Sequence, residues 1–336
     1  MAHENREPRG KMKPARKGAR MDDSRSVVVF GSINMDLSIE ASRMPAVGET
    51  VLGRSFVTTP GGKGANQAVA AARMGAPTYM IGAVGEDAFG DTLVANLVEA
   101  GVDCTHVQRS SAAATGVAMI VRVGGDNRIV VSAGANMVRT GDDAVRALDE
   151  LIASGAVGVG SVLLAQGECS LAATAQVIMH AHKRGLYTIF NPAPACDLPD
   201  EAWREVDLVC LNETECEALT GIVPHDEQSC REALEMLNAR TGGNSVITLG
   251  GAGSVNLGEE GYFHVPACAR SVVDTTAAGD TYLGAFAAAR AAWFPVVDAM
   301  GPATFAASIA VSRLGAQQSI PTEQEVWEWI AQGWQG

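Results

Sequence analysis

Asp280 follows three small residues, Ala277, Ala278 and Gly279, and precedes an apolar, Ala-rich run that reads as a helix to about Ala292. Small residues keep a loop backbone open, and a helix N-terminus presents unpaired N–H groups and positive dipole charge. Such a turn can hold an anion, phosphate above all. A carboxylate in the same turn would repel that anion unless it had another task, such as taking a proton from an attacking hydroxyl. An Asp in a first helical turn also favours the helix for its own sake. Asp280 alone leaves both readings open.

Three further stretches could share in such chemistry. In Gly61-Gly62-Lys63-Gly64-Ala65-Asn66 the spacing is not that of a Walker A loop. Its glycines would let backbone approach a ligand closely, with Lys63 and Asn66 bonding hydroxyls; a glycine turn with a solvent-facing lysine is the plainer alternative. Asn212 and Glu215 lie three apart at a helix start and share a face. A carboxylate near a phosphate needs an intervening cation, and hydrated Mg²⁺ held through water suits that role. The same pair would equally make a capping box. Leu249-Gly250-Gly251-Ala252-Gly253 leaves a strand and could wrap a nucleotide phosphate or ribose. A dinucleotide fingerprint with its acidic partner is missing, which counts against a dehydrogenase, and without a serine nucleophile elbow nothing suggests a serine hydrolase. His180 and His182, two apart on a helix, point to different faces and are read as surface residues.

The elements that must position these residues follow an α/β rhythm. Val27 to Ile33 opens as a continuous apolar strand, of the kind buried on both faces. A helix from Gln67 to Met74, a strand from Thr78 to Val84 and a helix from Phe89 to Ala100 follow. From about Asp142 helices alternate with strands at Val162–Ala165, Leu186–Phe190, Asp207–Leu211 and Ser245–Leu249. That alternation predicts right-handed crossovers and a parallel sheet covered on both sides. Leu37–Glu40, Val51–Thr58, and Thr115–Val123 with Arg128–Ser132 around Gly124-Gly125-Asp126-Asn127 break the rhythm and read as a small inserted β layer. Ligands in open parallel sheets sit beyond the strands' carboxyl ends. Asp36, Glu168, Asn191, Asn212 and Gly250 all fall there.

The 336 residues suffice for one large domain or two ordinary ones, and a net charge of −13 argues against nucleic acid as a partner. Residues 1–25 are polar, basic and without periodicity, and read as a disordered tail, an expression leader or translation upstream of a start at Met21. Seven scattered cysteines without a C-x-x-C fit a reducing cytoplasm. No apolar run approaches transmembrane length, so no membrane partner is expected.

Taken together and in this order, the stretches resemble the ribokinase, or PfkB, family of sugar kinases. Gly61–Asn66 with Gln67-Ala68-Val69-Ala70-Ala71 matches one family signature, and Asp274-Thr275-Thr276-Ala277-Ala278-Gly279-Asp280-Thr281 matches the second. The likeness spans about Val27 to Pro321. Gly31–Asp36, Gly134-Ala135-Asn136, Asn191-Pro192-Ala193-Pro194 and Gly315-Ala316-Gln317 place it nearest the ribose-specific members. The resemblance implies a three-layer α/β/α fold over 26–336, with a mainly parallel central sheet and a β-sheet lid from about 36–60 and 115–132. It implies the reaction ATP + D-ribose → ADP + D-ribose 5-phosphate. Asp280 would be the general base, and the backbone of Ala277, Ala278 and Gly279 the anion hole. Asn34, Asp36, Gly62, Lys63, Asn66 and Glu168 would bind the sugar with Asp280. Asn212, Thr248, Leu249, Gly250, Gly251, Ala252, Gly253, Gly279 and Thr304 would bind ATP. Glu215 would organise Mg²⁺ through water. Asp274 and Thr276, with Ala310, Arg313, Gly315 and Ser319, would hold K⁺ as a monovalent activator. The lid would double as a homodimer interface.

The second signature often carries Gly where this chain has Ala277, a ribokinase-like variant. The Gly before Glu168 leaves that acid's register open, and Thr304 is smaller than the polar residue often near adenine. Kinases for deoxyribose, fructose or nucleosides are the sibling alternatives. Asn34 favours ribose, because an amide partner suits a 2-hydroxyl. A non-catalytic sugar-binding regulator on the same scaffold would be expected to lose Asp280.

Overall fold

Residues 25–124, 126–268 and 271–332 are described by a computed structural model. The expected tail lies outside these residues except for Arg25. The chain opens with β1 (Val27–Phe30), β2 (Asn34–Glu40), β3 (Arg54–Gly61), α1 (Lys63–Arg73), β4 (Thr78–Gly85), α2 (Ala88–Glu99), β5 (Val102–Asp103) and β6 (Val107–Ser110). β7 (Gly116–Val123) and β8 (Asp126–Ser132) precede a 3-10 turn at Gly134–Met137. The alternating half runs α3 (Gly141–Ala153), β9 (Val162–Gln166), α4 (Leu171–Lys183), β10 (Tyr187–Asn191), α5 (Asp200–Trp203), β11 (Leu208–Asn212), α6 (Glu213–Thr220), α7 (Glu227–Thr241) and β12 (Asn244–Thr248). β13 (Ser254–Gly258), β14 (Gly261–Val265), α8 (Ala278–Ala291), α9 (Val296–Ala310) and α10 (Glu323–Ala331) complete it.

The large sheet has the order β14-β13-β12-β11-β10-β9-β1-β4-β5, with β6 also on β4. From β12 through β4 every pairing is parallel. The alternation of apolar residues explains why both faces are covered. Val27 and Val29 of β1 point into one apolar cluster, Val28 and Phe30 into the other, and β9 splits Val162 and Leu164 from Leu163 and Ala165 in the same way. Helices α1, α8 and α9 close the first cluster, and α3, α4 and α7 the second.

The strictly alternating pattern predicted from Asp142 onward stops at β12. β13 and β14 add an antiparallel edge instead. Gly258-Glu259-Glu260-Gly261 is too short for a crossover helix and permits only a hairpin. The two-residue β5 and four-residue β6 carry too little periodicity to be read from sequence. α9 is buried along most of its length and holds Pro302, so neither amphipathicity nor composition marks it as a helix.

The strands at 34–61 and 116–132 do form a separate sheet, in the order β3-β2-β7-β8. β2 pairs β3 antiparallel but β7 parallel. Every residue of β8 and the first five of β3 are exposed.

Candidate active site

α1 begins four residues before the sequence predicts, at Lys63 rather than Gln67. Its N-cap, Gly62, has φ 91°, and a Cβ there would strike the Asn34 amide and the Ser32 carbonyl. Only glycine combines this backbone angle with so close an approach. The glycines therefore serve chain-to-chain packing as well as any ligand. The earlier start brings Lys63 into the helix and turns its amide toward Glu168, whose Oε2 accepts from Lys63 N at 3.2 Å and from Ser32 Oγ at 2.5 Å. A carboxylate is well placed at a positive helix end. This fixes the register of Glu168, which the sequence left open.

α8 likewise starts with its small residues. Ala277 is the N-cap, at φ 58° and ψ 14°, and Asp280 stands in the first turn. One turn further along, Gly284 has no Cβ, and one there would overlap Ala70 and the Gln67 carbonyl of α1. That close crossing sets the α1 side chains against Asp280, since residues four apart share a helix face. Asn66 Nδ2 donates to Asp280 Oδ2 and Gln67 Nε2 to Oδ1, each at 2.9 Å. Behind them, Gln166 Nε2 donates to Gln67 Oε1 at 2.6 Å, and Gln317 Nε2 to Asn66 Oδ1 at 3.0 Å. Asn191 Nδ2 is tied to the Cys210 carbonyl at 2.9 Å, and its Oδ1 lies 3.3 Å from Gln67 Nε2. Gln67, Gln166 and Gln317 were not singled out as site residues. The available signal was their place beside the motifs, at the second position after Lys63-Gly64-Ala65, before Gly167-Glu168 and after Gly315-Ala316.

Asp280, Glu168 and Glu215 surround Lys63 with negative charge, and Asp36 in turn faces Glu168 and Asp280. The Asp36 carboxyl is pushed up to about 7, by burial first and then by the charges of Glu168 and Asp280. Burial pulls Lys63 down, but Asp280, Glu168 and Glu215 outweigh it and hold the ammonium above its usual range. Asn34 is buried, and its Oδ1 accepts from Asn136 Nδ2 at 2.7 Å, while Asn136 Oδ1 accepts from Ile33 N at 2.9 Å. Asn34 thus has its carbonyl held and its amide donor end oriented.

Two cavities adjoin this group. One of about 200 Å³ is lined by Lys63, Asn212, Glu215, Ala277, Gly279 and Asp280. The other, about 280 Å³, includes Thr248, Gly250, Gly251, Gly253, Tyr282 and Thr304. They share Asn212, Thr248, Thr275, Ala278 and Gly279, so the α8 turn is the wall between them. Leu249 and Ala252 line neither: Leu249 packs toward the second apolar cluster, and the Ala252 carbonyl faces His264. Among the three turn amides, that of Ala278 is directed to the Thr275 carbonyl at 3.2 Å. Tyr282 was not expected here; its OH donates to Ser254 Oγ at 3.0 Å, which lies 3.3 Å from Thr304 Oγ1.

Asn212 and Glu215 do make the capping box: Glu215 N donates to Asn212 Oδ1 at 2.9 Å and Asn212 N to Glu215 Oε2 at 3.0 Å. The capped carboxylate also borders the smaller cavity. Burial raises the Glu215 pKa despite that backbone bond and Lys63. Asp274 accepts from Thr276 N at 2.9 Å, Thr276 Oγ1 at 2.6 Å and Gly315 N at 3.1 Å. Burial opposes its ionisation, and these bonds still hold the carboxyl below its ordinary value. Its own amide lies 3.2 Å from the Val311 carbonyl, and the Ala310 carbonyl receives Arg313 N at 3.0 Å. Ser319 is buried in its own turn, donating to the Ala316 carbonyl.

Residues 24–323 match the model of the pfkB family carbohydrate kinases. The chain belongs to that family. It is 37% identical to the ribokinase of Haemophilus influenzae over 309 residues, 91% of this chain and 98% of that protein. It is 33% identical to the deoxyribokinase of Salmonella typhi over 307 residues, again 91% of this chain and 98% of that one. The structure of Arabidopsis thaliana ribokinase complexed with ribose and ATP superposes with a TM-score of 0.81 at 29% identity, covering 91% of this chain and 99% of the other. The pfkB fold thus accounts for the mainly parallel sheet and the second small sheet seen here. Among the described residues, no helix is long and apolar enough to cross a membrane.

Proposed function

We propose that this carbohydrate kinase transfers the γ-phosphoryl group of ATP to the 5-hydroxyl of D-ribose. The observation that carries the reading is the Asp280 carboxylate, clamped by Asn66 and Gln67 at the N-terminus of α8, where the two cavities meet. In the reaction Asp280 takes the proton of the sugar hydroxyl as its oxygen attacks the γ-phosphorus. The bond from that phosphorus to the bridging oxygen breaks, and ADP leaves. The Ala277 and Gly279 amides face the charge on the transferred group, with Ala278 shared with Thr275. Lys63 lowers the cost of gathering three carboxylates beside a polyphosphate. The larger cavity takes the nucleotide, its base against Tyr282, Thr304 and Val311.

Ribose is favoured over deoxyribose by Asn34, whose carbonyl is held by Asn136 so that its amide can donate to a 2-hydroxyl. A polar group arranged for a hydroxyl rejects the analogue that lacks it. Glu215 fits Mg²⁺ held through water, since one carboxylate oxygen is committed to the helix cap. Bound there, Mg²⁺ would neutralise phosphate charge. Asp274, kept ionised by its donors and close to the 311–315 backbone, fits a K⁺ loop with Thr276, Ala310, Arg313, Gly315 and Ser319. The small sheet serves as the lid over the sugar. Its exposed Phe56, Met119, Ile129 and Val130 support pairing with a second copy.

ADP release measured with D-ribose, deoxyribose, D-fructose and adenosine tests the reading. D-ribose is expected to give the highest kcat/KM. A higher value for another sugar reassigns the substrate, and no release with any of them makes the protein a binding module.

A further inference from the structure

Two chains of amides end on Asp280, and one of them leads out of the site. Asn96 Nδ2, on α2, donates to Gln317 Oε1 at 2.5 Å, Gln317 Nε2 to Asn66 Oδ1 at 3.0 Å, and Asn66 Nδ2 to Asp280 Oδ2 at 2.9 Å. An ionised carboxylate only accepts, whereas an amide accepts at one end and donates at the other. The sense of every link is therefore fixed from Asp280 outward. Asn66 turns its nitrogen to the carboxylate, Gln317 its nitrogen to Asn66, and Asn96 its nitrogen to Gln317. Reversing one link reverses the others.

The middle of this chain has no room to swing away. Asn66 is 6% exposed and Gln317 3%. Arg73 Nη1, at the end of α1, holds the Gln317 carbonyl at 2.8 Å and the Ile320 carbonyl at 2.7 Å, which pins the backbone of the 3-10 turn at Gln317–Ser319. A buried amide facing the wrong partner carries its full desolvation cost, so it turns over in place. Asn96 is different: it is half-buried on the outer helix and lines neither cavity. The other chain, Gln166 to Gln67 to Asp280, stays inside the protein, where Gln166 is 1% exposed.

We propose that Asn96 is a positioning residue for phosphoryl transfer: the direction of its amide, passed on through Gln317 and Asn66, decides whether a donor or an acceptor faces Asp280. An acceptor-only side chain at this position draws the Gln317 nitrogen outward and sets its oxygen against Asn66. Asn66 then turns over and brings its own carbonyl against the Asp280 carboxylate. Asp280 loses one of its two clamping bonds and leaves the line of attack. The effect on turnover rests on Asp280 being the general base; the chain of hydrogen bonds does not.

The test compares Asn96→Asp with Asn96→Ala in the full chain, assayed with D-ribose and ATP. Alanine removes the terminal donor without demanding a reversal, so kcat should stay within about threefold of the wild type. Asn96→Asp should lower kcat about tenfold, the loss of one hydrogen bond to a charged group, with the ATP KM held within about twofold. In a Gln317→Met background, which cuts the chain, the same Asn96→Asp change should have almost no effect. Equal losses in Asn96→Asp and Asn96→Ala, or an Asn96→Asp effect undiminished by Gln317→Met, overturn the proposal and leave Asn96 a contact that anchors α2. A second measurement needs no Gln317 variant: in nitrogen-edited proton spectra the Asn66 side-chain amide should shift in Asn96→Asp and stay in place in Asn96→Ala. An unmoved signal overturns the relay. A shifted signal with unchanged kcat overturns the role of Asn96 in turnover; if Asp280→Asn also turns over normally, the fault lies in the base reading instead.

Discussion

On the function proposed above, the two sides of the α8 turn recognise their ligands by different physics. The sugar side is built from side chains: Asp36, Lys63, Glu168 and Asp280 bring four charges together, and a chain of amides holds two of their oxygens. The nucleotide side is lined by Gly250, Gly251, Gly253, Ala278, Gly279, Ala307 and Val311, with hydroxyls at Thr248 and Thr304. There the backbone and the cavity's shape do most of the selecting. Directional side-chain bonds discriminate hydroxyl positions, whereas open backbone suits a phosphate chain that presents the same oxygens all round. Substitutions should therefore be felt sharply on the sugar side and weakly across the turn.

The largest contrast is expected from Asp280→Asn. It should keep the fold and bind ribose, while kcat drops by roughly 10²–10⁴-fold, the range for losing a general base. Near-normal turnover would remove Asp280 from its role. Gln67→Glu keeps the shape but sets a carboxylate against Asp280. Turnover at pH 7 should fall by about tenfold, and the acid limb of the kcat/KM profile should move to higher pH. A uniform loss at every pH would make Gln67 merely structural.

Asp36 sharpens the comparison through pH. With its pKa near 7, it takes up a proton as pH falls through neutrality and loses acceptor capacity for sugar hydroxyls. The ribose KM should rise several-fold, by roughly the tenfold per pH unit of a single titration at most, between pH 8 and 6. The ATP KM should not follow it, and Asp36→Asn should flatten the profile. Stability has the opposite sign to sugar binding. The folded pKa lies above the ordinary carboxyl value of 3.8, so this group's contribution is fully present below that value and is lost as pH rises through about 7.

A smaller effect is expected from the cation. Replacing Na⁺ by K⁺ should raise turnover about two- to tenfold if Asp274 organises the loop beside the α8 turn. Equal rates in the two salts would separate Asp274 from catalysis. The smallest change should come from Ala277→Gly at the N-cap of α8. Glycine relieves the left-handed backbone at φ 58° but adds freedom to the unfolded chain, so stability should shift by no more than about 1 kcal/mol. Activity should stay within about twofold, and a large loss would show that the alanine methyl group itself shapes the anion turn.

Much of this was legible in the order of residues. The apolar strands separated by helices pointed to the covered parallel sheet, because crossover helices bury a strand such as Val27–Phe30 on both faces. Carboxyl ends of strands placed Glu168, Asn191 and Asn212 along one edge. The antiparallel edge β12-β13-β14 was less legible, since short strands with mixed burial carry little periodic signal. Leu249 and Ala252 sit inside a glycine-rich motif of which the glycines and Thr248 line the cavity. The strand exit turns Leu249 toward the core, a fact of local backbone that spacing does not reveal.

Sequence by itself determined which groups could do chemistry at all: a carboxylate at a small-residue helix start, a lysine among glycines, a capped Asn–Glu pair. Tertiary structure decided how they act together. Asn66 and Gln67 meet Asp280 more than 200 positions away because Gly284 lets α8 press against α1. Gln166 and Gln317 enter from two other segments to orient those amides. Hydrogen bonds depend on ångström-scale separation and direction, and only the packing of four distant segments sets both.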